Sequence, residues 1–407
     1  MRSHPNRCTI CWALLCLALV LSACAAPAPA AATAAPTAEP TQVLTRTPTP
    51  QPSVTPQPSE TSTPYPTLTP DYPPQGHGPA GFPAGVNPLT GLEADETLLD
   101  RRPLLIKVEN LPRNHRPQFG LNRADLVWEY YTEEGSTRFA ALFYGQDSPQ
   151  VAPIRSARWF DMNLVRMYKS VLVYGGAYQR LWDALVSSDF GTRLVVEGFG
   201  SCPALCRYDP NGDNLLSANT AEMRAYLQQR NMDNSRQNVE GMLFQAQIPE
   251  GGLPAGQVFT RFSGAIYNRW DYDEESGSYL RLAETQDDLN GTNEVYAPLT
   301  DRIDGAQIAA NNVVVILAQY FRPDPNASTE VVDVALSGSG QAYLFRDGQG
   351  FAVRWQRETA AAVLSLVDAE GRPVAFRPGN TWFEVLTLNA TAAQDGNNWK
   401  FSFVGDW

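Results

Sequence analysis

Acidic and basic side chains are concentrated between residues 129 and 161, and these residue types could do chemistry. Glu129 lies within Asp125–Tyr131, a segment that is otherwise mainly apolar. An ionised carboxylate in such a segment needs a cationic partner, or its pKa rises until the group is neutral. Arg138, Arg155 and Arg158 follow soon afterwards in the sequence and are the candidate partners.

Arg155 and Arg158 form a pair of cations near the start of a predicted helix. They are three residues apart, so we expect their side chains to share a face. Two guanidinium groups at a helix start suit the carboxylate or phosphate of a ligand, such as a cell-wall sugar acid or a peptide carboxylate. The alternative is an internal ion-pair network with Glu129, Glu133 or Asp161. The sequence leaves both interpretations open.

Carboxylate pairs indicate a second chemistry, which is hydrolysis of cell-wall glycan. Glu129, Glu133, Glu134 and Asp161 include groups that could act as acid and base. Nothing in their spacing favours this role over salt bridges. Nucleophilic Ser-His-Asp or Cys-His catalysis is disfavoured, because His115 is the one histidine in the predicted domains and lies on a loop rich in Pro and Arg. We therefore do not predict an enzyme, and a purely structural role is the third hypothesis.

Cys202 and Cys206 remain once the cysteines of a predicted N-terminal signal and Cys24, the predicted site of a lipid, are set aside. Their spacing allows a small disulfide loop if the two Cα atoms lie within ~7 Å. A metal pair is the alternative, but no further Cys or nearby His completes four ligands. Residues 209–214 alternate oxygen ligands around a Gly without the acidic twelfth residue of an EF-hand, so a solvated turn is expected. With no nucleotide-binding loop either, we expect neither a metal nor a cofactor.

A predicted N-terminal α/β domain with a mixed sheet, residues 81–250, positions the charged cluster. Arg102–Asn110 is almost continuously apolar, which predicts a central strand with Asn110 at its end. Asp125–Tyr131 and Arg138–Tyr144 are rich in aromatic and branched residues. They predict two strands joined as a hairpin by a loop that contains Gly. Helical spacing of apolar residues further along predicts a helix.

Residues 251–407 predict a second domain that is mainly antiparallel β, so the fold class of the whole chain is α+β, or mixed. Short strands recur at regular spacing and are separated by turn residues. One predicted hairpin carries Trp270, Tyr272, Tyr279 and Arg281. These residues could form an aromatic patch for sugar rings. Cross-strand aromatic pairs inside the fold explain them equally well.

The N-terminal segment predicts export and attachment to a membrane. Residues 1–23 combine a positive start with an apolar stretch that is too short to cross a bilayer comfortably. Leu21–Cys24 resembles the lipobox of bacterial lipoproteins, which implies that Cys24 carries the lipid. An ordinary secretory signal with a chance cysteine is the alternative. Residues 24–80 are rich in Pro, Thr and Ala and predict a disordered tether.

The charge of the chain limits its partners. Its formal net charge is -12 at pH 7, and it becomes more negative when Arg2 and Arg7 leave with the signal peptide. This acidity argues against nucleic acid and against electrostatic adhesion to an anionic membrane. We therefore expect an extracytoplasmic protein that the lipid on Cys24 alone holds at the cell membrane.

Several short motifs occur in order along the chain and resemble the signature of the YerB-like bacterial lipoproteins. They are Asn87–Gly91, Arg116–Gln118, Ala124–Glu129, Thr137–Phe139, Arg155–Arg158, Asn311–Val315, Gly338–Gly340 and Pro378–Trp382. The resemblance runs from about Asn87 to the C-terminus. It implies a lipid-anchored envelope protein with an α/β first domain and a mainly β second domain, and it implies no reaction. A Pro-His-Asn element that is typical of the family lacks its His here.

Together, these patterns predict an envelope lipoprotein that binds a cell-wall polymer or an envelope protein through an Arg- and Glu-rich site. Hydrolysis of wall glycan is the alternative function. The residues predicted to bind the ligand are Asn110, Glu129, Arg138, Arg155, Arg158 and Asp161.

Overall fold

The computed structural model describes residues 72–208 and 213–405. The predicted signal peptide, Cys24 and most of the predicted tether lie outside these residues, as does most of the turn predicted at 209–214. Among the described helices, none is long and apolar enough to cross a membrane.

The described chain is mostly β-strand with few helices. The helices are α1 (Glu96–Leu99), α2 (Asp161–Tyr168), α3 (Gln179–Val186) and α4 (Thr220–Gln229), with 3-10 turns at Arg113–His115, Leu121–Arg123 and Gly191–Arg193. The first strands are β1 (Leu104–Glu109), β2 (Leu126–Tyr131), β3 (Thr137–Phe143), β4 (Val171–Val173), β5 (Leu194–Val195), β6 (Leu205–Tyr208) and β7 (Leu215–Ala218). The remaining strands are β8 (Leu253–Pro254), β9 (Gln257–Arg261), β10 (Tyr267–Asp273), β11 (Ser278–Glu284), β12 (Tyr296–Pro298), β13 (Ala309–Ala310), β14 (Asn312–Phe321), β15 (Asp333–Ala335), β16 (Gly338–Arg346), β17 (Gln349–Arg357), β18 (Ser365–Val367), β19 (Thr381–Thr387), β20 (Thr391–Asp395) and β21 (Asn398–Ser402).

A 12-stranded mixed sheet runs through both predicted domains. Its order is β18-β17-β16-β14-β19-β2-β3-β1-β4-β5, with β15 beside β14 and β8 beside β17. The two predicted domains meet where β2 and β19 pair in parallel, with Glu129 opposite Glu384. The sheet therefore continues across the boundary that the sequence placed at residue 250.

The predicted hairpin is present as β2 and β3, which pair in antiparallel register. Gly135 in its loop has a φ of +77°, a conformation that residues with a Cβ rarely adopt. β1 lies between β3 and β4, and all six of its residues are buried. Its central position agrees with the prediction from its nearly continuous apolar sequence.

The two faces of the 12-stranded sheet pack against different layers, and this explains why β2 is buried on both sides. Trp128 of β2 packs against Phe160 and against Tyr168 of α2, and stacks on Phe383 of β19 with ring centroids 4.0 Å apart. Glu129, the next residue of β2, instead contacts the second sheet. Alternation with period two thus sorts the side chains of β2 between a helix layer and a sheet layer.

The second sheet has 7 strands in the order β12-β11-β10-β9-β21-β20, with β13 beside β11. Only β9 and β21 pair in parallel within it. Aromatic rings fill the space between the sheets. Trp270 packs edge-on against Trp382 at 5.2 Å, and Tyr131 stacks on Phe403 at 4.8 Å. The C-terminal segment is thus mainly antiparallel, although β14 and β19 pair in parallel.

Residues 72–80, the described part of the predicted tether, pack against the folded domain. The backbone N–H of His77 donates to the carbonyl of Phe244 at 2.9 Å, and the N–H of Phe244 donates back at 2.8 Å. The ring of Tyr72 packs edge-on against that of His77 at 5.2 Å. The prediction of disorder is therefore wrong for residues 72–80. The prediction relied on the average composition of the Pro-rich segment and did not take account of the apolar surface of Tyr72.

Candidate functional site

Glu129 finds its cationic partner in the second half of the chain. Arg281 of β11 donates from Nη2 to Glu129 Oε2 at 2.6 Å and from Nη1 to Glu384 Oε1 at 3.1 Å. The side chains of Glu129 and Glu384 are 0% exposed, and that of Arg281 is 1% exposed. The prediction that a nearby arginine neutralises Glu129 is wrong, because the second sheet brings β11 over β2. We call these three residues the Arg281 clamp.

The Arg281 clamp carries two carboxylates for one guanidinium. Burial and the charge of Glu129 raise the pKa of Glu384 to about 7. Trp270 Nε1 and Asn268 Nδ2 donate to Glu384 at 2.9 Å and 3.3 Å. Burial opposes the charged form of Arg281, but the attraction of the two carboxylates outweighs it and raises the pKa of Arg281. One carboxylate of the clamp is therefore readily protonated near neutral pH.

Three of the four residues considered as an aromatic patch are part of the interior, and the fourth, the half-buried Tyr272, packs against Tyr279 with ring centroids 5.2 Å apart. Trp270, Tyr279 and Arg281 are buried. The guanidinium of Arg281 lies 4.5 Å from the ring centroid of Trp382 and 5.1 Å from that of Trp270. Packing inside the fold is thus the correct interpretation of these residues, and a sugar-binding patch at this hairpin is wrong.

Asn110 follows β1 directly and connects the Arg281 clamp to a second ion pair. Its Nδ2 donates to Glu129 Oε1 at 3.1 Å and to Thr137 Oγ1 at 2.8 Å. Its Oδ1 accepts from Arg116 Nη2 at 2.6 Å, and Arg116 also pairs with Glu284 at 2.7 Å. Asn110 is buried. Its amide therefore serves the interior, and no face of it is offered to a ligand.

Asp161 belongs to a buried triad that sequence reasoning missed. Lys107 Nζ donates to Tyr130 Oη at 2.5 Å and lies 3.0 Å from Asp161 Oδ1. The hydroxyl of Tyr130 donates to the same Asp161 oxygen at 2.5 Å. Burial lowers the pKa of Lys107 to about 8, although Asp161 opposes this change. Lys107 lies inside the apolar strand β1, so the reasoning applied to Glu129 could have predicted that this lysine needs a buried acidic partner.

Arg138 and Arg158 share the carboxylate of Glu133, in the loop between β2 and β3. Arg138 Nη2 donates to Glu133 Oε1 at 2.9 Å, and Arg158 Nε donates to Oε2 at 2.5 Å. Burial opposes the ionisation of Glu133, but the hydrogen bonds and charge of Arg158 and the charge of Arg138 lower its pKa. Glu133 is therefore held as a carboxylate.

Arg155 pairs with a different carboxylate, that of Glu109. The other oxygen of Glu109 lies 2.7 Å from His115 Nδ1. The side chain of Arg155 is 44% exposed, which makes it the most accessible of the predicted site residues. The expected shared face of Arg155 and Arg158 is wrong. Residues 151–158 are not helical and α2 begins only at Asp161, so the two side chains diverge. The ion-pair network is the interpretation that the structure supports.

Two adjoining cavities border the segment from Arg155 to Arg158, and Ser156 lines both. The larger, about 330 Å³, has walls from Arg158, Glu133, Trp159, Tyr178 and Glu330, among others. We call it the Trp159 cavity. The smaller, about 170 Å³, is lined by a second group that includes Glu109, Arg155, Arg207 and Asp213. Of the predicted residues, only Arg155 and Arg158 thus line a cavity at this edge of the sheet.

The walls of the Trp159 cavity combine aromatic and charged groups. The indole N–H of Trp159 donates to the hydroxyl of Tyr178. Glu330, which also lines the cavity, accepts from the hydroxyl of Tyr131 at 2.8 Å and from the backbone N–H of Glu134 at 2.6 Å. Sequence reasoning missed these rings because nothing local shows that Trp159 and Tyr178 come together.

Cys202 and Cys206 are joined by a disulfide, with their Cα atoms 5.0 Å apart. The loop that they close leads into β6, which pairs with β7. Cys202 is exposed, so the link belongs to the surface of the described chain.

Comparison with known proteins defines the class first. Residues 89–207 match the model described as the N-terminal domain of a protein of unknown function, DUF3048, and residues 258–383 match its C-terminal domain. The chain therefore belongs to this two-domain family, that of the YerB-like lipoproteins.

Two comparisons relate the chain to one member of the family. It is 27% identical over 321 residues to "Putative lipoprotein YerB" of Bacillus subtilis (strain 168), which covers 76% of this chain and 88% of that protein. The crystal structure of YerB from Bacillus subtilis matches with a TM-score of 0.62 and 24% identity, over 74% of this chain and 96% of that one. The structural match supports the fold alone.

Proposed function

We propose that this protein is a lipid-anchored envelope protein that binds a glycan of the cell wall in the Trp159 cavity. The lipobox-like Leu21–Cys24 and the similarity to a protein named as a lipoprotein support export and a lipid anchor on Cys24. The Pro-rich segment that follows would act as a tether between the membrane and the wall.

The observation that carries the proposal is the composition of the Trp159 cavity. Trp159 and Tyr178 offer ring surface to the C–H faces of a sugar, while Arg158, Glu133 and Glu330 offer charged donors and acceptors to its hydroxyls. A volume of about 330 Å³ lies at the lower end of the range for small-molecule sites. Because the lining carries Glu133, Glu134 and Glu330 against Arg158, the cavity suits an uncharged sugar better than a sugar acid.

In the Trp159 cavity, the carboxylates support binding without hydrolysis. A glycosidase needs a carboxylic acid whose raised pKa keeps it protonated as a proton donor. Arg158 and Arg138 lower the pKa of Glu133, which is the opposite direction. Glu384 has a raised pKa, but it is sealed inside the Arg281 clamp and reaches no substrate.

Co-sedimentation of the full chain with isolated cell wall tests this function. We expect the wild-type chain to pellet with the wall and Trp159→Ala to lose roughly tenfold in affinity, which corresponds to about 1.4 kcal/mol. Phe199→Ala is the matched control, because Phe199 is a fully exposed ring outside the cavity. Equal binding by wild type and Trp159→Ala, or no binding by either, contradicts the proposal. Release of wall fragments by the wild type would contradict binding without hydrolysis.

A further inference from the structure

A second, larger cavity lies at the other end of the strands of the 12-stranded sheet from the Trp159 cavity. Its volume is about 530 Å³, within the range of about 300–1,000 Å³ for small-molecule sites. Asp125, Asn311 and Asn380 line it, and they immediately precede the parallel strands β2, β14 and β19. It is therefore built from both predicted domains at the start of three neighbouring strands.

Side-chain amides dominate the polar lining of this cavity, which we call the amide pocket. They belong to Asn87, Asn122, Gln146, Gln307, Asn311 and Asn380. No lysine, arginine or aromatic residue of the described chain lines it, and its acidic residues are Glu93 and Asp125. A pocket with carboxylates and no cation repels anions, so its ligand is neutral or cationic.

Hydrogen bonds to the backbone and to Ser278 hold the amides of Asn311 and Asn380 in place. The N–H of Asn311 donates to Asn380 Oδ1 at 3.0 Å, and the N–H of Asn380 donates to Asn311 Oδ1 at 3.2 Å. Asn380 Nδ2 donates to the carbonyl of Ala309 at 2.8 Å, and Asn311 Nδ2 to Ser278 Oγ at 3.1 Å. A primary amide has two N–H donors and an oxygen with two lone pairs, so each keeps a donor and an acceptor for a ligand.

Asp125 at the base of the amide pocket is also fixed by hydrogen bonds. Its Oδ1 accepts from Asn87 Nδ2 at 2.7 Å, and its Oδ2 accepts from the N–H of Tyr144 at 2.6 Å and of Gly145 at 3.1 Å. Burial raises the pKa of Asp125 to about 6. Asp125 therefore stabilises the wall of the pocket, and the polar groups left to bind a ligand are those of the amides.

We propose that the amide pocket binds an N-acetylated neutral sugar, with pocket amides pairing with the acetamido group of that sugar. An acetamido group presents one N–H donor and one carbonyl acceptor, which matches the spare donor and acceptor of an Asn or Gln side chain. The sugar hydroxyls are satisfied by the remaining amides. This site is separate from the Trp159 cavity and does not depend on the function proposed there.

Titration of the full chain with triacetylchitotriose by calorimetry tests the proposal, with cellotriose as the sugar without acetamido groups. Ala306 lines the amide pocket and is exposed, so Ala306→Trp fills the pocket without removing a side-chain hydrogen bond. Ala369→Trp is the matched control on an exposed turn outside the pocket. We expect Ala306→Trp to weaken binding of triacetylchitotriose at least tenfold, while Ala369→Trp and Trp159→Ala retain binding of this sugar in the amide pocket.

Each other outcome overturns the proposal. Equal affinity for triacetylchitotriose in Ala306→Trp and wild type places the sugar elsewhere. Equal affinity of Trp159→Ala for cellotriose and triacetylchitotriose removes the role of the acetamido group, and absence of binding by wild type removes the site. Binding of a capped neutral tripeptide but not of the sugar, sensitive to Ala306→Trp, would assign the pocket to peptide amides instead. Failure of Trp159→Ala alone to change wall binding affects only the Trp159 cavity.

Discussion

At the scale of single residues, the interior of this protein is organised by buried charges. The Arg281 clamp places Glu129, Glu384 and Arg281 between two sheets without access to water. Burying charges costs free energy, which their mutual attraction offsets only when the geometry is good. Removing one partner is strongly destabilising, because it leaves the remaining charges buried and unpaired. Such a triad stabilises one relative arrangement of β2, β11 and β19, and we interpret it as a device for specificity of packing.

The charge imbalance of the clamp predicts a pH dependence. The raised pKa of Glu384, about 7 against an ordinary 4.5, means that the folded state binds a proton which the unfolded state has already lost between these values. Stability is therefore expected to fall as pH rises from 4.5 to 7, by at most roughly 1.4 kcal/mol per pH unit from this group. Glu384→Gln stays neutral and should flatten this part of the curve.

Urea denaturation at several pH values, followed by tryptophan fluorescence, measures this effect. Glu274→Gln is the matched control, since Glu274 lies exposed on the turn between β10 and β11. The difference between wild type and Glu384→Gln matters, because Asp125 and Asp333 also have raised pKa values. Parallel pH curves for wild type and Glu384→Gln would show that folding does not raise the pKa of Glu384.

At the scale of elements, local sequence determines how α4 begins. Its cap is Asn219, a residue type favoured at this position, whose Oδ1 accepts from the N–H groups of Ala221 at 3.1 Å and Glu222 at 3.2 Å. The hydroxyl of Thr220 instead accepts from the N–H of Ser148 at 2.8 Å. Asn219 thus caps its own helix, whereas Thr220 connects the helix to a residue that is distant in sequence.

Asn219→Ala is therefore expected to destabilise the protein by about 1 kcal/mol, because two N–H groups of the first turn lose their acceptor. Asn219→Asp keeps a carboxylate oxygen in the same place and should retain most of the stability. Thermal or urea unfolding of the three proteins compares them. A loss in Asn219→Asp as large as that in Asn219→Ala would mean that the amide N–H group, and not the cap acceptor, stabilises this helix.

At the scale of the whole molecule, one sheet unites segments that the sequence separates. β19 lies between β14 and β2, so the sheet passes directly from strands of the second half of the chain to strands of the first half. All seven residues of β19 are buried. Removing the second half would expose one edge of β2, uncover Trp128 and leave Glu129 without Arg281.

We therefore expect residues 72–250 to lack a cooperative fold on their own. The fragment should show weak near-ultraviolet circular dichroism and no sharp urea transition, and co-expression with residues 251–407 should restore both. The full chain should unfold in a single transition by fluorescence and by circular dichroism. A sharp transition in the isolated fragment, with midpoint near that of the full chain, would instead show that the two family segments are independent domains.

The sequence by itself determined the features that depend on near neighbours. Apolar runs predicted β1, β2 and β3, and a Gly-containing loop predicted the hairpin, because side-chain periodicity and turn chemistry act over a few residues. The same reasoning showed that Glu129 needs a cation, because its side chain must lie on a buried face of an apolar strand. The spacing of Cys202 and Cys206 also allowed the loop that the disulfide closes.

Only the tertiary structure decided which distant groups meet. Glu129 pairs with Arg281, 152 residues away, although many arginines stand nearer in sequence, among them Arg138, Arg155 and Arg158. Arg155 and Arg158 diverge because their segment is not helical, and Trp159 meets Tyr178 only when the chain has folded. A charged residue buried in a sheet needs an oppositely charged partner, but the local sequence does not specify which residue that partner is. The partner is selected by the order of strands, which local spacing does not encode.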